Sequence, residues 1–196
     1  MNSRDSGFPG LRWTLSMSLS HKFSRWLGWE APLTTIAAGH AAPGFTLKSL
    51  DGKEYSLGKL LEKGPVVAAF FKISCPVCQF TFPYLQRLAE RYSGDSATVI
   101  AISQDDARGT TEFNREYGVT FTTLLEGAGY PVSNAYGLSM VPTIFLIEPD
   151  GKVKVSCMGF DKGDLEKIAA ELSQRRKIAA APLFRADEAV PVQKPG

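Results

Sequence analysis

The stretch Val66-Val67-Ala68-Ala69-Phe70-Phe71-Lys72-Ile73-Ser74-Cys75-Pro76-Val77-Cys78-Gln79-Phe80-Thr81-Phe82-Pro83 decides the fold. Its first six residues would be apolar on both faces of a strand, so they read as a strand buried in the centre of a sheet. Phe82, Leu85, Leu88, Ala89 and Tyr92 then recur at helical spacing, and Gly94 ends that helix. Two of the three cysteines fall at the junction, two residues apart. They are either a metal-ligand pair or a thiol pair that opens and closes.

The junction itself favours the second reading. A helix N-terminus presents unpaired N–H groups and a partial positive charge. A thiolate is stabilised there, and thiol pKa values at such sites fall from about 8.5 to about 7 or below. Cys75, at the exposed lip, is the better nucleophile. Cys78 lies one turn in and is placed to attack a mixed disulfide. Pro76 suits the first turn, where its missing N–H costs nothing. Structural zinc takes four ligands, and only Cys157, His21 and His40 remain as soft or imidazole donors. They are single residues far apart in sequence, so no metal is expected. A third reading makes both cysteines small buried hydrophobes. Their position at a strand–helix junction argues against it.

Outward from the junction, Ala97 to Ile102 reads as a second buried strand, which makes a βαβ unit with parallel strands. Thr110 to Tyr117 and Pro131 to Tyr136 read as helices closed by Gly118 and Gly137. Thr143 to Ile147 is a third strand, and Asp150-Gly151 turns it into a fourth, Lys152 to Met158. There Cys157 reads as packing. A last helix starts near a capping Asp161 and carries Leu165, Ile168, Ala169 and Leu172 on one face. Upstream, Phe45 and Leu47, the Asp51-Gly52 turn, then Tyr55 and Leu57 signal a hairpin. From Ala180 on, three prolines and no periodicity read as a flexible tail. The expected division is a leader over 1–40, one domain over 41–178 and a tail over 179–196.

The 196 residues suit one domain with ragged ends. Hydrophobic content of 44% and charged content of 21% fit a globular protein. A net charge of +2 gives no reason to expect a nucleic-acid partner. No window offers the roughly 18 apolar residues of a membrane span. Leu11 to Leu19 is broken by Arg12 and three hydroxyl residues, so no standard secretory signal is read and the cytoplasm is expected. Export stays open if this N-terminus is not the native one. Within 19–30, Leu19, Phe23, Trp26, Leu27 and Glu30 share a helical face beside Lys22 and Arg25. Such a stretch can make weak peripheral contact with a membrane. A short helix docked on its own domain is the plainer reading.

Met140-Val141-Pro142-Thr143 bears on the redox reading. A proline at the entrance to a buried strand removes a ladder donor. A cis Val141–Pro142 bond would expose the Val141 backbone, where an incoming peptide or thiol could pair beside Cys75. A trans proline starting an edge strand is the alternative.

Taken together, the buried strand, Cys75-Pro76-Val77-Cys78, Pro83 in the following helix, Val141-Pro142-Thr143 and the Asp150-Gly151 hairpin with its final helix resemble the thioredoxin-like superfamily. The opening Ala42-Pro43-Gly44-Phe45-Thr46-Leu47 is similar to that of its TlpA/ResA-like and AhpC/TSA (redoxin) branch. The resemblance covers about residues 40 to 177 and implies an α/β thioredoxin-like fold. It implies a mixed central sheet flanked by helices, an N-terminal β-hairpin and a central helical insertion. It also implies a cis Pro142, a nucleophilic Cys75, a resolving Cys78, and substrate contacts through Val141, Pro142, Pro76 and Val77. No cofactor is implied. The partners are protein or small-molecule thiols and disulfides, and an electron donor.

Three departures stand out. Family members often carry tryptophan before the first cysteine, where this chain has Ser74. Thioredoxins have a buried aspartate where this chain has Ala69, and ResA-like proteins a glutamate where it has Thr81. Deprotonation of Cys78 must then rely on water, Lys72, or an acid such as Asp105 or Asp106.

Thiol–disulfide oxidoreductase is the leading function. A peroxidase of the peroxiredoxin kind is second. It needs Pro-x-x-x-Thr/Ser-x-x-Cys, but alignment on Cys78 finds Phe71 and Cys75, and alignment on Cys75 finds Ala68 and Lys72. A non-catalytic binding module is third.

Overall fold

The structure is a computed structural model that describes residues 34–94, 97–179 and 181–196. The amphipathic stretch expected within 19–30 lies outside the described residues. The strands are β1 (Thr46–Ser49), β2 (Glu54–Ser56), β3 (Val66–Phe71), β4 (Thr98–Ser103), β5 (Thr122–Leu125), β6 (Thr143–Ile147), β7 (Val153–Met158), β8 (Phe160–Asp161) and β9 (Gln193–Lys194). The helices are α1 (Leu57–Leu61), α2 (Pro76–Tyr92), α3 (Ala107–Glu116), α4 (Pro131–Ala135) and α5 (Lys162–Arg176).

Seven strands form one mixed sheet in the order β2-β1-β5-β4-β3-β6-β7. β3 pairs parallel with β4 and antiparallel with β6, so the βαβ unit read from the sequence is present. Every residue of β3 is buried. Its period of two divides the core. Val67, Ala69 and Phe71 face the α2–α5 layer, while Val66, Ala68 and Phe70 face the layer that includes Leu57, Leu60 and Tyr136. Phe71, Phe82 and Phe113 meet with ring centroids 4.4 to 5.0 Å apart. Truncating Phe82 there would cost about 3–5 kcal/mol. That cluster fixes the start of α2 against the end of β3.

Four features differ from the sequence reading. Leu57 begins α1, capped by Ser56, instead of extending the hairpin. The central insertion is not purely helical, because β5 lies between α3 and α4 and joins β4 to β1. The chain is also tied to the domain before residue 41, with Ile36 N–H donating to Tyr136 O at 3.2 Å and Gly39 N–H to Val153 O at 2.8 Å.

The segment read as a flexible tail is packed from residue 181 on. Leu183 and Phe184 are buried, Arg87 pairs with Glu188, and β9 pairs antiparallel with β8. Apolar side chains set at irregular spacing do this, so no periodicity marks them.

Candidate active site

Cys75 is the N-cap of α2, with extended backbone, and Pro76 fills the first helical position. The Cys78 N–H donates to Cys75 Sγ at 3.2 Å. The Cys75 thiol in turn donates to the Val141 carbonyl at 3.3 Å. The sulfur thus meets one backbone donor and one backbone acceptor. Both cysteines carry free thiols.

The loop between β3 and α2 is clamped. Ile73 N–H donates to Asp105 Oδ2 at 2.8 Å, Gln79 Nε2 donates to Ile73 O at 3.0 Å, and Cys75 N–H donates to Lys72 O at 3.2 Å. Across from it, Val141–Pro142 is a cis peptide. Thr143 Oγ1 donates to Met140 O at 2.8 Å, and Gly159 N–H donates to Pro142 O at 2.7 Å. The turn is therefore held from both sides. Val141 is half-buried and Pro142 buried, Pro76 exposed and Val77 half-buried, and Cys75 half-buried.

Cys78 is fully buried. Burial pushes its thiol well above the usual range, and the Cys75 side chain and the Asp105 charge push the same way. Cys157 is also fully buried. Burial pushes it up to about 12, and its thiol points to Gly159 O at 3.7 Å, consistent with packing.

The other candidates separate cleanly. Asp106 caps α3 by accepting from Gly109 N–H at 2.8 Å. Lys72 holds its ammonium 5.3 Å from the centre of the Tyr130 ring. The Thr81 hydroxyl bonds back to Val77 O at 2.6 Å. Phe82 is core, while Phe80 meets Phe160 edge to face at 4.9 Å. Among the described residues no three His, Cys, Asp or Glu side chains gather as a metal site. Sequence reasoning missed Gln79 and residues 193–196, which no motif marks.

The sequence profile of the AhpC/TSA family matches residues 38–156. The chain belongs to the AhpC/TSA family. The chain is 34% identical over 122 residues to the thiol-disulfide oxidoreductase ResA of Geobacillus thermodenitrificans, across 62% of this chain and 69% of that one. The thioredoxin domain of a thiol-disulfide oxidoreductase from Bacteroides vulgatus superposes with a TM-score of 0.63 at 22% identity, across 70% of this chain and 98% of that one. Peroxidoxin BcpB from Mycobacterium tuberculosis gives a TM-score of 0.58 at 23% identity, across 74% and 99%. At such identities the likeness shows the fold alone. The thioredoxin-like architecture of this redoxin is therefore shared by proteins named for both chemistries.

Proposed function

We propose that this redoxin carries out thiol–disulfide exchange with Cys75 as nucleophile and Cys78 as resolving thiol. Its likeness to ResA supports the class of reaction. One observation carries the assignment of roles: Cys75 is only half-buried and its Sγ lies 3.2 Å from the Cys78 amide nitrogen at the start of α2, while Cys78 is wholly buried.

Cys75 thiolate attacks one sulfur of a substrate disulfide. A Cys75–substrate disulfide forms, the substrate S–S bond breaks, and one substrate thiolate leaves and takes a proton. Cys78 then gives up its proton and attacks Cys75 Sγ. The Cys75–Cys78 disulfide forms and the second substrate thiolate departs. The substrate gains two electrons and the dithiol loses two; a separate dithiol donor restores the pair. Run backward, the same steps oxidise a substrate dithiol. Val141, Pro142, Pro76 and Val77 form the rim against which substrate lies.

We assign Asp105 to receive the Cys78 proton. Its carboxylate is tied to Ile73 at 2.8 Å, its charge acts on the Cys78 thiol, and it lines a solvent-open recess with Ile73, Asp106 and Arg108. A proton taken there has an exit to water.

A leader ahead of the described residues, a catalytic domain reaching residue 178 and a packed final segment over 179–196 belong to this reading, as does a cytoplasmic or exported location. No helix among the described residues is long and apolar enough to cross a membrane.

The test uses a polypeptide disulfide such as insulin. Cys75→Ser abolishes reaction, and Cys78→Ala accumulates a covalent Cys75 adduct visible by mass spectrometry under non-reducing conditions. An adduct on Cys78 in the Cys75→Ser protein would reverse the roles.

A further inference from the structure

The chain beyond Pro191 runs directly onto the redox site. Its first contact is a short ladder: Phe160 pairs with Lys194, Asp161 with Gln193, and Lys162 N–H donates to Val192 O at 2.9 Å. It then crosses Gly159, where an added Cβ would lie 2.5 Å from Lys194 O and 3.0 Å from Gly196 N. The missing side chain lets the two backbones approach. Beyond that, Gly196 abuts the Val141 carbonyl so closely that a Cβ on it would collide with the oxygen. That oxygen is the one that accepts the Cys75 thiol. Lys194 meanwhile sets its ammonium 4.5 Å from the centre of the Phe80 ring, on the helix turn that follows Cys78.

We propose that residues 193–196 are an internal strap lying in the path an extended polypeptide substrate takes across Val141–Pro142, and that such a substrate displaces them. This rests on the reading of Cys75 and Val141 given above. The hold is built in two tiers. Leu183 and Phe184 are buried and Glu188 is paired with Arg87 of α2, so the segment is anchored ahead of the strap. Its last residues are shallow: Val192 is 74% exposed, and Gln193, Pro195 and Gly196 are exposed. The strap can lift while the core stays intact. A ladder along β8, a cation over Phe80 and a small residue at the Val141 carbonyl are features of a chain in extended form. The occupant that fits in its place is therefore an unfolded polypeptide bearing a disulfide. A small disulfide needs only Cys75.

Three proteins test this: full-length Lys194→Ala, full-length Gly196→Ala, and a chain lacking residues 191–196 that keeps both anchors. Each is compared with the parent for the rate of Cys75 mixed-disulfide formation with insulin and with cystamine. Folding is checked by circular dichroism. With the strap closed about 70–90% of the time, its release raises the insulin rate about threefold to tenfold, the inverse of the open fraction, and the cystamine rate by less than about twofold. The peptide Val-Pro-Val-Gln-Lys-Pro-Gly, which repeats residues 190–196, slows the shortened chain on insulin again. Folded variants whose insulin rate is unchanged or lower than the parent's overturn the strap. Loss of both reactions in Cys75→Ser alongside such a result leaves the exchange reading intact and removes only this one. Persistence of both reactions in Cys75→Ser removes the exchange reading itself.

Discussion

Raising the pH of the reduced protein from about 7 to about 10 tests the burial of its inner thiols through their linkage to folding. Cys78 and Cys157 are both fully buried. Burial holds Cys157 at about 12 and lifts Cys78 well above the usual thiol range. In the unfolded chain both titrate near about 8.5 to 9. Between the unfolded and folded values, the unfolded chain sheds protons that the folded one keeps. Stability is therefore full below the unfolded value and falls as pH rises toward the folded one. At pH 10, about one unit past the unfolded value, each thiol removes about 1.4 kcal/mol. For Cys78 this holds wherever its folded value lies, provided it stays well above 10. Tyr136 is raised by burial as well, its hydroxyl is buried without a hydrogen-bond partner, and it adds about 0.4 kcal/mol. The total of about 3 kcal/mol is a large part of a typical domain stability of about 5–15 kcal/mol.

The assay is urea unfolding at both pH values on three forms: the reduced protein, reduced Cys157→Ala, and the Cys75–Cys78 disulfide form. The reduced protein loses about 3 kcal/mol, and each of the other two about 1.8 kcal/mol, because each lacks one buried thiol. The comparison between forms cancels the titration of lysines and exposed tyrosines. Equal pH sensitivity in all three would refute the argument: the inner sulfurs would then not be held neutral by the fold.

Two further outcomes follow from single side chains. Asp105→Ala removes the acceptor of Ile73 N–H and costs about 1–3 kcal/mol by urea unfolding, whereas Asp105→Asn keeps an acceptor and most of the stability. The Asn variant nevertheless releases the second substrate thiol more slowly near neutral pH, with the deficit closing as pH rises and hydroxide replaces the carboxylate; a deficit independent of pH would make Asp105 a clamp only. The Arg87 guanidinium holds the Glu188 carboxyl down at about 2, so the pair contributes above the unfolded carboxylate value and is lost as pH falls through the folded one. Protection against hydrogen exchange over 183–194, taken relative to the intrinsic rate at each pH, accordingly holds at pH 5 and falls toward pH 2, and Arg87→Ala lowers it at neutral pH; protection unchanged in that variant would show that the segment is held by other contacts.

How far the sequence alone could be read follows a physical line. β3 and α2 were legible because burial on both faces and a helical apolar repeat are local patterns, and the structure places them at Val66–Phe71 and Pro76–Tyr92. Asp161 was legible as a cap because capping acts within three residues; its side chain accepts from Asp164 N–H at 2.9 Å. β5 was not legible. Thr122 to Leu125 is a four-residue segment that acquires its place only by joining β4 to β1. The 181–196 segment failed for the same reason. Leu183 is covered by the core cluster that includes Leu85 and Leu88, and β9 exists only because β8 offers an edge. Within the site, the sulfurs were visible from their spacing and Asp105 or Asp106 as a candidate acid, but Gln79 and the hold of Asp105 on Ile73 act through loop backbone atoms that sequence does not place.

The same distinction bears on how the second sulfur is activated. Ala69 lies in the strand centre, paired with Ala101 and Ile144, and Thr81 turns its hydroxyl into its own helix. Neither position that supplies an acid in related proteins does so here. The burial that keeps Cys78 from ionising also keeps it from competing with Cys75 for substrate. What must change is its proton affinity once Cys75 is bound in a mixed disulfide. At that stage the Cys75 sulfur no longer carries a proton for Val141 O and can no longer bear a negative charge opposing a thiolate on Cys78. Forming the adduct thus removes two of the influences that raise the Cys78 thiol, its hydrogen bond and its charge interaction with Cys75. Desolvation and the Asp105 charge remain; the first weakens if the strap lifts and water enters, and the second ends when Asp105 takes up the proton. Activation of the resolving thiol is in this way tied to substrate capture, and the carboxylate at Asp105 has only to receive a proton that the adduct has already loosened.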